Sequence, residues 1–278
     1  MSDGDSLGAG GEVKAAVGAL FDAMADVYDT VIDYFGRFGR RLVDAAQLQP
    51  GADVLDLACG RGAVLWPALT AVGERGSVLG IDVAPAMVSR LRAELAQRAL
   101  ENVEVRIGDA EHLDLPDASF DAVTGGFMIF FPPEPMRVLR EIRRVLRPGG
   151  RVALSIYDGP AGFSFQSELE ASVGAAPRAA SGGRRFNEAA VLRAAMAEVG
   201  FRVVETVEMG ERFDFASVEH AERWQYSTGV RRVLEGLDDR QLAAYRAGLA
   251  ARLEPFRTAG GSYWLDQRAV GIIGVVSN

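Results

Sequence analysis

Apolar positions along the chain change period several times, and the changes mark the elements. Residues 13–47 carry Val17, Leu20, Phe21 and Met24, then Val27, Tyr28, Val31 and Ile32, at helical spacing, which predicts two helices ahead of the main domain. Pro50-Gly51 ends that region with a turn signal. Short apolar runs then alternate with amphipathic stretches. Strands are predicted over 53–58, 77–82, 103–107, 120–124 and 151–156. A helix is expected near 62–72, and a second starts at Pro85 with Met87, Val88, Leu91 and Leu95 on one face. A third covers 133–146, with Met136, Leu139, Ile142, Val145 and Leu146 inward until Pro148-Gly149-Gly150 stops it. Such alternation gives a parallel sheet covered by helices on both faces.

Two stretches break the rhythm. Residues 157–186 are rich in Gly, Ala and Ser, with an amphipathic piece near 163–173, and residues 211–267 read as helical. Between them lie a predicted helix over 187–199, with Asn187 as its N-cap, and a strand over 201–207. The chain closes on an apolar strand at 270–276. The expected organisation is a doubly wound α/β domain over 48–278 with a helical lid. That lid draws on residues 13–47 and on insertions at 157–186 and 211–267. The Gly-rich, acidic residues 1–12 are expected to be disordered.

Composition narrows the function. The 278 residues carry a formal net charge of −8, which disfavours a nucleic-acid binder, since that class needs a basic surface to displace counterions. Lys14 is the single lysine among 30 basic residues. Cys59 is the single cysteine, so no disulfide within the chain and no cysteine-based zinc site is expected. No basic start leads into an apolar core, and no apolar run is long enough to span a bilayer. A cytoplasmic monomer or homodimer is expected, with no membrane partner.

Candidate chemistry sits at three strand ends. An open parallel sheet binds its ligand beyond the carboxyl ends of its strands. The loop Ala58-Cys59-Gly60-Arg61-Gly62 leaves the first strand there, with Asp56 just before the turn to pair with an ammonium group. Asp82, in GIDVAP, ends the second strand, where a carboxylate accepts hydrogen bonds from a ribose diol. Asp109 and Ala110, in GDAEHL, end the third, where an adenine edge would be read. Together the three describe an adenosine with a charged amino-acid tail. The G-x-G-x-x-G fingerprint of a nicotinamide or flavin site is missing, which rejects that rival.

The pieces VLDLACGRG (54–62), GIDVAPAMV, GDAEHLDLPDASFD and VLRPGG resemble the class I S-adenosylmethionine-dependent methyltransferases, over roughly residues 48–156. The resemblance implies a Rossmann-like seven-stranded sheet whose last strand runs antiparallel. It also implies S-adenosylmethionine as cofactor. Carried over by position, Asp56, Ala58 and Gly60 hold the methionine portion, and Asp82 the ribose. Val83 and Met87 lie against the adenine, Asp109 and Ala110 meet its edge, and Phe127 flanks the sulfonium. Ala58 is a departure, since many relatives have glycine there.

The acceptor is less legible. Residues 125–132 (GGFMIFFP) are apolar where they face the ligand, and the lid regions add Tyr157, Phe163, Phe165, Trp224, Tyr226, Tyr263 and Trp264. With Tyr28 and Phe131, such rings suit a small hydrophobic acceptor, although they would equally pack a lid onto the core. His112 and His220 carry no role that the pattern assigns. Glu170 shares a helical face with Phe163, Gln166 and Ser167, so an apolar pocket would raise its pKa and make it a general base. A solvated surface charge is the plainer reading. Arg184 and Arg185 would clamp a carboxylate or diphosphate, or are surface charge. If all three features act together, the reaction is C-methylation of an isoprenoid diphosphate, with Mg2+ accompanying the diphosphate. The alternatives are O-methylation of a polyketide or aromatic metabolite, and a cyclase or rearrangement enzyme that retains the cofactor.

Overall fold

A computed structural model describes residues 4–157, 169, 174 and 186–277. Seven strands form one sheet in the order β3-β2-β1-β4-β5-β7-β6. They are β1 (Asp53–Leu57), β2 (Ser77–Asp82), β3 (Val103–Ile107), β4 (Phe120–Gly126), β5 (Leu146–Tyr157), β6 (Phe201–Phe215) and β7 (Tyr263–Val276). All neighbouring pairs are parallel except β5·β7 and β6·β7, so β7 alone is reversed. The helices are α1 (Gly4–Asp22), α2 (Tyr34–Ala46), α3 (Leu65–Val72), α4 (Pro85–Gln97) and α5 (Pro135–Val145), followed by α6 (Ala189–Glu198), α7 (Val218–Tyr226), α8 (Arg231–Glu235) and α9 (Asp239–Leu253).

The sheet buries apolar side chains on both faces, as parallel strands must. One face packs Val54, Ala122, Ala153 and Ile273 against α2, α3 and α4. The other packs Leu55, Val123, Leu154 and Ile272 against α5 and α6. Helix α2 belongs to the core. Its Phe38, Leu42 and Ala46 are buried, and it touches β4, β5, β6 and β7. Helix α1 lies instead against α4.

Several boundaries differ from the sequence pattern. Helix α1 begins at Gly4, so the glycine-rich start is helical where its composition predicts disorder. Residues 23–33 form turns, and the second helix starts only at Tyr34. Asp29 causes that start. Its carboxylate accepts the backbone N–H groups of Tyr34, Phe35 and Gly36 at 2.7–2.9 Å, which satisfies the first turn of α2. Asn187 is not a cap, because α6 starts after Glu188 with no side-chain cap. The stretch 211–267 is helical only in its middle, since β6 runs to Phe215 and β7 starts at Tyr263. In EMGERFDF, Met209, Phe213 and Phe215 are buried between exposed neighbours, a period of two that marks a strand.

Candidate active site

The strand order reverses between β1 and β4, and a narrow crevice opens at their carboxyl ends, where this architecture binds ligands. Asp56 stands at the crevice floor, 1% exposed. Its neighbour across the β1·β4 ladder, Thr124, donates its hydroxyl to Oδ1 at 2.8 Å. The other oxygen, Oδ2, has no hydrogen-bond partner. Burial pushes the carboxyl up to about 7, and the Asp82 charge adds to the rise while the Thr124 hydroxyl opposes it. A buried carboxylate with a free oxygen is an acceptor for a cation.

The loop after β1 wraps that carboxylate. Gly60 and Gly62 take φ of 51° and 88°, and Ala58 takes 52°. For alanine the left-handed region costs about 1–2 kcal/mol, a cost that glycine would not carry at that point. Cys59 is buried in the crevice wall, and burial raises its thiol well above the usual range. A thiolate is the reactive form, so the native protein should resist an aromatic disulfide reagent and react fully once denatured. Prompt native reaction would show that the loop opens in solution.

Asp82 and Asp109 follow at the adjoining strand ends. Asp82 is 8% exposed and accepts the N–H groups of Gly60 and Ala84, each at 2.8 Å, so it ties the first two strand-end loops together. Asp109 accepts the Glu111 N–H at 2.9 Å and the Lys14 ammonium at 2.7 Å. Gly108 donates its N–H to the Asp82 carbonyl at 2.9 Å, which places the two motifs side by side, with Ala110 half-buried beyond. Val83 is exposed on this edge, whereas Met87 is buried with Phe21, Ala25, Tyr28 and Ala84.

Phe127 is the hub of the far wall. It holds φ 52°, and its N–H donates to Ser155 at 3.1 Å. Its ring stacks on Tyr157 at 4.6 Å and meets Phe35, Phe38 and Tyr34 at 5.7, 5.6 and 6.5 Å. Tyr28 stacks on Phe35 at 4.9 Å, and Trp224 reaches the same group through Tyr34 at 5.3 Å. Phe131 stands one step away, edge-on to Phe21. Strained φ at Ala58 and Phe127, both lining the crevice, is the kind of cost found where backbone positions a ligand.

The structure thus gathers Asp56, Ala58, Gly60 and Phe127 in one crevice, with Tyr28 beside them. Asp82, Val83, Asp109 and Ala110 line the adjoining edge. Phe163, Glu170, Arg184 and Arg185 lie outside the described residues. His112 is exposed near Asp109, and His220 accepts the Ala216 N–H at the start of α7, so neither imidazole lines the crevice. Sequence reasoning missed Tyr34, Phe35, Phe38 and Gly39. Their signal was a strong apolar face over 34–43, hidden because the helical reading began about two turns too early, at Val27.

Residues 54–150 match a methyltransferase domain family. The chain is 35% identical over 260 residues to nocamycin O-methyltransferase of Saccharothrix syringae, covering 87% of this chain and 92% of that protein. The chain is a class I S-adenosylmethionine-dependent methyltransferase. This methyltransferase is also 40% identical over 143 residues to aklanonic acid methyltransferase of a Streptomyces species, covering 51% of this chain and 65% of that protein. Its fold is shared with a SAM-dependent methyltransferase from Aquifex aeolicus, at TM-score 0.53 and 18% identity over 86% of this chain and 89% of the other. The free buried oxygen of Asp56 fits the cofactor, which carries an ammonium on its methionine tail.

Proposed function

We propose that this methyltransferase transfers a methyl group from S-adenosylmethionine to an oxygen of a small, apolar, polyketide-like acceptor. The observation that carries the reading is the unpartnered Asp56 oxygen beside an aromatic wall centred on Phe127. Two relatives, a nocamycin O-methyltransferase and an aklanonic acid methyltransferase, support the acceptor class. The isoprenoid diphosphate version draws on Glu170, Arg184 and Arg185, outside the described residues. It would also call on Mg2+; among the described residues Asp109, Glu111 and His112 come close enough together to hold a metal ion, but Lys14 pairs with both carboxylates of that group, and this version is not carried forward.

The residues divide the work. Asp56, with Ala58 and Gly60, holds the methionine tail, and Asp82 takes the ribose hydroxyls. Val83, Met87, Asp109 and Ala110 hold the adenine, and Phe127 faces the sulfonium. S-adenosylmethionine supplies an electrophilic methyl group. Displacement at that methyl is in line, so catalysis consists largely of positioning the acceptor oxygen and excluding water. The rings of Tyr28, Tyr34, Phe35, Tyr157 and Trp224 serve both needs as the acceptor's apolar walls, with Phe131 at their edge. The test is incubation of methyl-labelled cofactor with a panel of hydroxylated polyketides and aromatic acids, read by mass spectrometry. The expected result is one labelled methyl ether or ester per S-adenosylhomocysteine released. Conversion of an acceptor without S-adenosylhomocysteine would overturn the assignment in favour of a rearrangement.

A further inference from the structure

The lone lysine of this chain is seated on the candidate adenine edge. Lys14, in α1, places its ammonium between two carboxylates, 2.7 Å from Asp109 Oδ2 and in an ion pair with Glu111. Glu111 is 3% exposed and also accepts the Glu134 N–H, so it is fixed in place. Asp109 spends its other oxygen on the Glu111 N–H. One helical turn on, a side chain at Gly18 would come within 3.6 Å of the Val83 carbonyl. Beyond it, Phe21, Ala25 and Tyr28 bury Met87. Helix α1 therefore crosses the ends of both β2 and β3.

Further contacts fasten the same arm. Asp22 accepts the Ala86 N–H at 2.7 Å, Arg90 pairs with Asp26, and Arg231 donates to the Ala23 carbonyl at 2.8 Å. These bind the arm to α4 and to the first residue of α8. None of them uses a group that holds the cofactor. The Lys14–Asp109 pair differs, because it occupies the oxygen that would accept from the adenine amino group.

We propose that Lys14 is an autoinhibitory latch, which competes with the adenine amino group for Asp109 and holds α1 over the adenine edge until the cofactor displaces it. The proposal rests on the cofactor placement under Proposed function. Removing the latch should therefore strengthen cofactor binding, the opposite of what a cofactor-binding lysine would show. A partly exposed ion pair is also screened by salt, so the wild-type penalty should shrink as ionic strength rises.

The test is calorimetric binding of S-adenosylhomocysteine to the full chain as wild type, Lys14→Met, Lys14→Arg and Asp82→Ala, with amide hydrogen exchange of α1 in each. Lys14→Met should bind about tenfold more tightly, and its α1 should exchange rapidly before ligand is added. Lys14→Arg keeps the ion pairs and should resemble wild type. In wild type, α1 exchange should speed up on saturation. Unchanged or weaker binding by Lys14→Met, or slower α1 exchange of the saturated wild type, would overturn the latch. If wild type and Asp82→Ala bind alike, the cofactor placement itself fails, and that outcome is separate from a failed latch.

Discussion

Replacing Asp56 by Asn should weaken S-adenosylmethionine binding at least thirtyfold while raising the melting temperature of the unliganded protein at pH 8. The two effects share one cause. Burial pushes the Asp56 carboxyl from 3.8 to about 7, so the folded protein holds a proton there that the unfolded chain releases near pH 4. Stability from this group is fully present below the unfolded value. It is lost as pH rises from about 4 to about 7, and at pH 8 the ionised carboxylate remains as a cost. Every tenfold weakening of the acid corresponds to about 1.4 kcal/mol, so that cost is on the order of a few kcal/mol. Asparagine keeps an acceptor for the Thr124 hydroxyl and carries no charge. The expected gain is several degrees, read by calorimetry.

Binding moves the other way. An ammonium ligand needs the ionised carboxylate, and losing one member of a buried charge pair costs about 2–5 kcal/mol, a loss of affinity of at least thirtyfold. In wild type, affinity should be highest between about pH 7 and pH 8; it should fall nearly tenfold for each pH unit below as Asp56 takes up its proton, and fall again above about pH 8 as the ligand's α-ammonium loses its own. Titration calorimetry across pH 5.5–8.5 checks the slope. Intact binding by Asp56→Asn, or affinity that does not change across this range, would remove Asp56 from the cofactor site.

Gly39→Ala should destabilise the protein by about 3 kcal/mol or more and disrupt the crevice. A methyl at Gly39 would lie 2.0 Å from the Ala63 carbonyl oxygen and 2.7 Å from its carbon. Those are backbone atoms of the segment that follows the glycine loop, so relief requires α2 to lift from the sheet. Phe38 would move with it, and Phe127 would lose a packed neighbour. Gly36→Ala is the control, three residues earlier on the same helix. There the methyl presses on the exposed Asp33 carboxylate and touches the Arg40 guanidinium at an ordinary 3.6 Å; both are side-chain ends, and Asp33 can turn away at the cost of its contact with Arg40. Alanine is favoured over glycine in a helix by about 1 kcal/mol, so Gly36→Ala should be neutral or stabilising. Thermal and urea melts of the pair should separate them widely. Equal stability would mean that α2 does not press on residue 63 in solution.

The strand-end motifs were legible because each is local. A short apolar run, a glycine turn and a carboxylate at the end of a strand occupy adjacent residues, and Asp56, Asp82 and Asp109 stand where that pattern puts them. The far end of the edge strand β6 was harder, since Glu208, Glu211, Arg212 and Asp214 disguise the alternation of Met209, Phe213 and Phe215. The beginning of α2 was misread for a different reason. Its first turn is stabilised by Asp29, five residues upstream and in a left-handed conformation, which helical periodicity does not register.

What the sequence by itself determined is the α/β order of the main domain and the cofactor class, because both are written in neighbouring residues and strand-end spacing. Only the tertiary structure decided that Asp56 keeps one oxygen unpartnered, that Phe127 is enclosed by three rings of α2 and by Tyr157, and that Lys14 grips Asp109. Each joins side chains far apart along the chain, and the physical quantities involved, burial and the sharing of hydrogen-bond acceptors, exist only once the sheet, α1 and α2 have packed together.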